Sequence, residues 1–408
     1  MLWRLEDAVR RALLPVMLGV LVIGLVGIDV GAEVTIVPQS YLETITDDDP
    51  NPLPRGLAPG ESVPILDVLK ELRTPPDGTV QTPAEYEVND GLLIRWGSFN
   101  SLLTAITVAV TTGTDATVWV VVWSASQQSS AESILLGAGA DMTQVDFILF
   151  DTDTVWIRDY GPRFIDEDGD RAIVDHTYNR PRPNDNELPD HLAGLWNEAQ
   201  YDIPLVHGGG NFHLFSDGEA FMSELILNEN PGLSAQDVED YYEQYQGLDL
   251  TILAPLPSWY DSTQHIDMWM LPVARREVVI GEYDPGDSQA HAVTEEAVTL
   301  LQSRGYTVHR TPGWRSGGTH YTYTNSVILN DIVLTCQFEN ASPQYADEDA
   351  EALATFEAAF PGRTIVPVDC STIIDYSGAI HCIVMHVPEV SAVVFSDGFE
   401  SGDLSAWD

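Results

Sequence analysis

The 408-residue chain carries 63 acidic against 18 basic side chains, a formal charge of −45, and 44% of it is hydrophobic. That acidic excess excludes nucleic acid and anionic membrane surfaces as partners and favours cationic ligands, and the apolar content excludes wholesale disorder. A solubility adaptation, for example to saline surroundings, accounts for the same charge. Lys70 is the only lysine, so arginine supplies nearly all positive charge.

Residues 1–32 read as an export signal. Arg4, Arg10 and Arg11 precede the apolar run Ala12–Ile28, and Val30-Gly31-Ala32 offers a small-residue cleavage site. The expected location is therefore secreted or periplasmic, with no stable membrane association once the signal is removed. An uncleaved anchor is the alternative, because the run is just long enough to span a bilayer. Export implies an oxidising compartment, yet the cysteines are only Cys336, Cys370 and Cys382. Cys336–Cys370 is the pairing to test first, since it leaves Cys382 free.

Residues 33–85, rich in Pro, Asp and Thr, read as an extended acidic leader. From about Tyr86 to residue 390 short apolar strands alternate with helical stretches. Thr117–Trp123 is a buried strand by its β-branched and aromatic content, Ala131–Ala140 a helix, and Val145–Phe150 the next strand. That strand leads into Trp156–Pro162, read as a strand end broken by Gly-Pro. Further helices are expected over Leu188–Gln200, Ala235–Gln246, Ala292–Arg304 and Asp347–Phe360. Further strands are expected over Val278–Gly281, Ser326–Leu329 and Ile332–Thr335. Asp166–Asp170 (DEDGD) reads as a Gly hairpin turn rather than a Ca²⁺ loop. Residues 391–408 form an acidic, Gly/Ser-rich tail read as mobile.

Polar landmarks recur every 50 to 60 residues or so: Trp156–Pro162, Gly208–His213, His265–Trp269, Tyr323–Val327 and Ser377–Cys382. This spacing suggests repeated supersecondary units. Five units around a centre, each pushing a strand end inward, would converge on one pocket; an ordinary α/β sheet with coincidental spacing fits the same pattern.

Cys382, read at the end of a buried strand leaving a Gly turn, is the candidate nucleophile. On a strand His265 and Asp267 share one face, which suits a proton shuttle beside a bound cation. By the same alternation His381 faces away from Cys382 and is a poor base for it, leaving His265 as the activating group. Asp159 precedes a Gly-Pro break that projects its carboxylate into a cleft, or it pairs with a nearby arginine. Gly208–Asn211 permits close backbone approach but lacks the features of a nucleotide loop; it reads as a tight turn lining a site. Arg180 and Arg182 sit on a rigid Pro-flanked segment suited to gripping a carboxylate bidentately, or they pair with Asp185 and Glu187. No GxSxG, HExxH or CxxC motif is present, and the spacing of His207 and His213 points to no particular metal.

Taken in order, WIRDYGP, NRPRPND, GGN, HID, YTNS and SGAIHC resemble the guanidino-group-modifying deiminases. The likeness is to the bacterial secreted peptidyl-arginine deiminases and their relatives, the agmatine deiminases, and it covers roughly Tyr86 to Pro388. The resemblance implies a five-bladed α/β propeller fold and hydrolysis of a guanidinium to a ureido group plus ammonia, with neither cofactor nor metal. It implies Cys382 as nucleophile, His265 as general acid and base, and Asp267 and Asp159 as guanidinium ligands. Asn325 matches an active-site position, Trp156 packs along the substrate's aliphatic stem, and Gly210 and Asn211 line the substrate. Arg180 and Arg182 fit the place that recognises the carboxylate of a C-terminal arginine. The expected partners are arginine-containing peptides or small guanidino compounds. Agmatine deimination is the rival reading, and a propeller that only binds cationic peptides is the non-catalytic one.

Overall fold

The computed structural model describes residues 34–64 and 74–389. The stretch read as an export signal, residues 65–73 of the leader and the acidic tail lie outside the described residues. Each interval between the polar landmarks becomes one small sheet, and five such sheets form a five-bladed α/β propeller. In a typical blade two antiparallel strands make a hairpin, and a helix then carries the chain to a third strand parallel to the second. Met270–Ala274 pairs antiparallel with Glu277–Glu282, and helix Ser288–Ser303 leads to Thr307–Ser316, parallel to the latter. Val327–Leu329 and Ile332–Gln337 repeat the hairpin, with helix Ala346–Ala359 leading to Thr364–Asp369. His213–Leu214, Glu219–Ser223 and Asp249–Leu253, with helix Ala235–Gln246, form the smallest blade.

The blade that opens the domain closes the ring. Asn89–Arg95, Thr117–Val122 and Val145–Leu149 run parallel, and the C-terminal strand Val384–Pro388 adds antiparallel to the first, Val384 facing Ile94. Leu92, Leu93 and Ile94 are fully buried, each contributing about 1.5–3 kcal/mol of hydrophobic stabilisation.

Local chemistry explains most boundaries. DEDGD is a two-residue hairpin turn, with Asp168 and Gly169 at φ 54° and 96° joining Arg163–Glu167 to Asp170–Tyr178. Helix Ala235–Gln246 starts at a Ser234/Asp237 capping box. The helix expected from Ala131 begins earlier, at Ala125, because the Ser124 hydroxyl caps it through the Gln127 N–H. The helix expected to end at Gln200 stops at Trp196, where Asn197 turns left-handed and Ala199–His207 becomes a strand.

Helix Asn100–Gly113 has no counterpart among the expected elements. Its Thr, Val and Ile content favours strand, but the hydroxyls of Thr104, Thr107 and Thr111 donate to the carbonyls of Asn100, Leu103 and Thr107. The buried helix therefore carries no unpaired hydroxyl at those positions. A Cys336–Cys370 disulfide joins strand Ile332–Gln337 to the segment leaving Thr364–Asp369, and Cys382 is the free, buried cysteine.

Candidate active site

All five landmarks lie on the connections between blades. Hydrogen bonds link each to the next around the ring, the second reaching the strand that directly follows the third. Gly210 N–H donates to Asp159 Oδ1 at 3.0 Å, and His213 Nε2 donates to the Met270 carbonyl at 2.9 Å. Thr324 Oγ1 donates to the Asp267 carbonyl at 3.2 Å. Asn325 Oδ1 accepts from the backbone N–H groups of Ala379 and His381 at 3.1 Å each, and Arg158 Nε donates to the His381 carbonyl at 3.3 Å. Residues more than two hundred positions apart are thereby fixed around one buried centre.

The local conformations differ from the expected strand ends. Ile157–Tyr160 is a short helix, and 3-10 turns span Ile266–Met268 and His381–Ile383. Strand alternation therefore governs neither His265/Asp267 nor His381/Cys382. His265 and Asp267 converge nonetheless, because the turn directs both at one cation. His381 faces the site as well: its Nδ1 lies 3.0 Å from Asp267 Oδ2 and its Nε2 lies 2.9 Å from Glu85 Oε2.

The cation at the centre is the chain's own Arg55, from the leader, fully buried. Its Nε donates to Asp159 Oδ2 at 2.9 Å and its Nη2 to Asp159 Oδ1 at 3.0 Å. Its Nη1 and Nη2 donate to Asp267 Oδ1 and Oδ2 at 3.2 and 2.8 Å, and Nη2 lies 2.8 Å from His265 Nδ1. Two edges of the planar guanidinium are thus each matched to one carboxylate. A Cβ on Gly210 would sit 1.7 Å from Arg55 Nη2, so only glycine leaves room for the cation.

Cys382 Sγ donates to Asn325 Oδ1 at 3.2 Å, accepts from the Ala379 N–H at 3.3 Å and lies 3.9 Å from Asp267 Oδ2. A Cβ on Gly378 would meet Trp156 at 2.8 Å, Cys382 Sγ at 3.1 Å and Arg55 Cδ at 3.2 Å. Indole, thiol and arginine stem therefore crowd the same point. Trp156 also donates from Nε1 to the Leu53 carbonyl at 2.8 Å.

Arg180 and Arg182 take neither Asp185 nor Glu187 as hydrogen-bond partners. Arg180 Nε donates to the Arg55 carbonyl at 3.1 Å, and Arg182 Nη2 to the carbonyls of Pro54 and Gly56 at 2.9 and 3.1 Å. Asp185 instead binds the backbone and hydroxyl of Thr154. Asn211, expected to line the substrate, has its amide engaged with the Ser223 backbone in both directions, and its role there is to brace the turn that presents Gly210.

The electrostatics follow from burial around one cation. Burial pushes the carboxyls of Asp159 and Asp267 up, but the Arg55 guanidinium acting with the neighbouring histidines (His265 at Asp159, His381 and His265 at Asp267) holds both below the usual carboxylate range. Burial lowers His265, opposed by Asp159, with Arg55 adding to the depression. Burial pushes the Cys382 thiol far up, Arg55 opposing and the two aspartates adding to it. Behind the site the partly exposed Glu85 is held well below its ordinary range: burial raises it, but Arg158, His381 and His386 prevail. Glu229, beside Arg180, is pushed up to about 8 by burial despite that arginine. Among the described residues no cluster of three or more His, Cys, Asp or Glu side chains is disposed to hold a metal ion.

Arg55 and Glu85 are the residues in contact with the site that sequence reasoning did not single out. Neither stands in a motif: one is a lone arginine in Leu53-Pro54-Arg55-Gly56, the other a lone acid before Tyr86.

A free thiol, an imidazole and two carboxylates clasping a planar cation, set at the centre of a five-bladed propeller, define a guanidino-group deiminase, a hydrolase of amidine C–N bonds. The chain belongs to the Porphyromonas-type peptidyl-arginine deiminase family, whose model matches residues 81–388. It is 28% identical over 285 residues to a Streptomyces avermitilis protein, covering 62% of this chain and 79% of that one. It is 29% identical over 290 residues to a Legionella pneumophila protein, covering 65% and 80%. Both carry the name "Putative agmatine deiminase". The fold is shared with the agmatine deiminase of Enterococcus faecalis, at TM-score 0.66 and 21% identity over 82% of this chain and 100% of that one. It is shared equally with a substrate-bound agmatine deiminase of C. jejuni, at TM-score 0.66 and 17% identity over 76% and 97%.

Proposed function

We propose that the enzyme converts peptidyl-arginine, best at a peptide's C-terminus, to citrulline and ammonia through a covalent thiouronium on Cys382. The observation that carries the reading is the contact between Arg180 Nε and the Arg55 carbonyl oxygen. With a guanidinium seated between Asp159 and Asp267, Arg180 meets the main-chain oxygen of the same arginine. In a C-terminal arginine that oxygen belongs to a carboxylate. Arg180 has Glu229 as its acidic neighbour at 3.8 Å, a carboxyl that burial pushes up to about 8 despite that arginine. Arg182 has Glu61 of the leader at 3.3 Å. With the leader displaced Arg182 loses Glu61, and an incoming carboxylate takes its place.

In this mechanism Asp159 and Asp267 orient the guanidinium and the Cys382 thiol gives up its proton through His265 as Sγ attacks Cζ. His265, with Nδ1 beside Nη2, protonates the departing ammonia. It then takes a proton from water, whose oxygen displaces Sγ. The Ala379 N–H, directed at Sγ, stabilises the thiolate when it forms.

Agmatine is the second reading, favoured by the names of the curated relatives. It has no carboxylate for Arg180 and Arg182 to grip. Steady-state ammonia release from a C-terminal-Arg peptide, an internal-Arg peptide, free arginine and agmatine separates the two. The expected order puts the C-terminal-Arg peptide first, with Arg180→Ala lowering its kcat/KM by about 10²-fold, the worth of a charge-assisted contact. Agmatine preferred by a large factor, with Arg180→Ala silent, would overturn the peptide reading.

A further inference from the structure

We infer that Arg55 is a substrate in cis: the enzyme converts its own leader arginine to citrulline, and until then the leader shuts the guanidinium slot. This rests on the deiminase reading above and adds a modification site at residue 55.

Arg55 makes five polar contacts in the slot, two edges on two carboxylates and Nη2 beside His265. Its main chain is held as well. The Arg55 N–H donates to the Tyr376 carbonyl at 3.3 Å and the Arg55 carbonyl accepts from Arg180. On either side Trp156 and Arg182 take the carbonyls of Leu53, Pro54 and Gly56. Glu61 accepts from the Ala58 N–H and reaches Arg182, folding the segment back on itself. The Cys382 sulfur and the Arg55 δ-carbon meet the same point over Gly378, and Asp267 Oδ2 touches both Nη2 and, at 3.9 Å, the sulfur.

The step balances without oxidant or reductant. The Sγ–Cζ bond forms and the Cζ–Nη2 bond breaks, the nitrogen leaving as ammonia with a proton relayed by His265. Water then attacks Cζ and gives its proton to His265, and the Cζ–Sγ bond breaks. One water is consumed and one ammonia released. The product residue is neutral and places an oxygen where an N–H faced a carboxylate. Asp159 and Asp267 are then two buried anions without their counter-charge, an arrangement that expels the leader and opens the slot.

The test uses the full chain, purified as wild type, Cys382→Ala, Arg55→Ala and Arg55→Lys. Peptide mass mapping is expected to find citrulline at residue 55 in wild type and arginine there in Cys382→Ala. Mixing catalytic amounts of wild type into Cys382→Ala is expected to leave the latter's Arg55 unchanged. Arg55→Ala leaves the slot without a cation and should release ammonia from an arginine-ended peptide from the first moments, whereas Arg55→Lys keeps a cation that cannot be deiminated and should stay slow. Wild type isolated before conversion should lag by about tenfold or more, because only its open fraction is competent. Unmodified Arg55 in a wild type that turns over added peptide would overturn the inference and leave the deiminase reading standing. Modification of the Cys382→Ala chain by added wild type would overturn the cis assignment. If neither wild type nor Arg55→Ala releases ammonia from any guanidino compound, the deiminase reading itself fails.

Discussion

Gly210→Ala should disable the enzyme without replacing any side chain assigned to the chemistry. The added methyl would stand 1.7 Å from the guanidinium nitrogen Nη2, 2.7 Å from Asp267 Oδ2 and 2.8 Å from Asp159 Oδ1. It occupies the slot a bound guanidinium needs. The backbone at residue 210 is not in the left-handed region, so alanine adds no conformational strain and the fold should survive. The guanidinium makes five polar contacts of 2.8 to 3.2 Å in that slot. Losing two charge-assisted hydrogen bonds costs about 3–6 kcal/mol, which lowers kcat/KM by about 10²- to 10⁴-fold. Ammonia release from an arginine-ended peptide measures the loss, and thermal unfolding checks that the variant is folded. In a Cys382→Ala background the same change should free Arg55 from the slot and make its peptide bond more susceptible to trypsin. A folded variant that keeps kcat/KM within about threefold of wild type would refute the placement of the guanidinium beside Gly210.

Three further outcomes follow from the same geometry. Burial raises the Cys382 thiol, so iodoacetamide should alkylate it more slowly at pH 7 than an unhindered cysteine, and faster as pH rises; a rate matching a free thiol at pH 7 would contradict the buried setting. Glu229 titrates near 8 in the folded protein against about 4.3 unfolded, so its stabilising contribution is complete below that lower value and is lost as pH rises toward 8. Glu229→Gln should therefore match wild type near pH 5 and gain on it by pH 9, by at most about 5 kcal/mol, read as the difference in Tm across that range. Replacing Cys336 and Cys370 with alanine opens a loop with a sequence separation of 34 and should cost about 3–4 kcal/mol in thermal unfolding, with peptide turnover retained below the new Tm.

Much of this arrangement was legible because blade connections repeat at a regular interval and carry polar residues between apolar strands. Asp159, His265, Asp267, Asn325 and Cys382 could be singled out for that reason, and they do meet. Their local shapes could not be read. Short turns of three or four residues look like strand ends when the flanking residues are strands, so the alternation argument set His381 aside although it hydrogen-bonds Asp267. Asn100–Gly113 was invisible as a helix because its Thr, Val and Ile content favours strand, and its threonine hydroxyls find partners only in its own carbonyls once the helix is buried. Arg55 and Glu85 carry no motif at all. Their meaning comes from where distant carboxylates and imidazoles lie, and a linear pattern holds no record of that.

The free thiol lies two residues before the strand that completes the first blade against Asn89–Arg95. A chain emerging from the ribosome therefore makes Arg55 early but lacks both nucleophile and closing strand until synthesis has passed residue 388. Chemistry at this centre has to wait for the closing strand, so a partly made chain has nothing with which to attack any arginine, its own included.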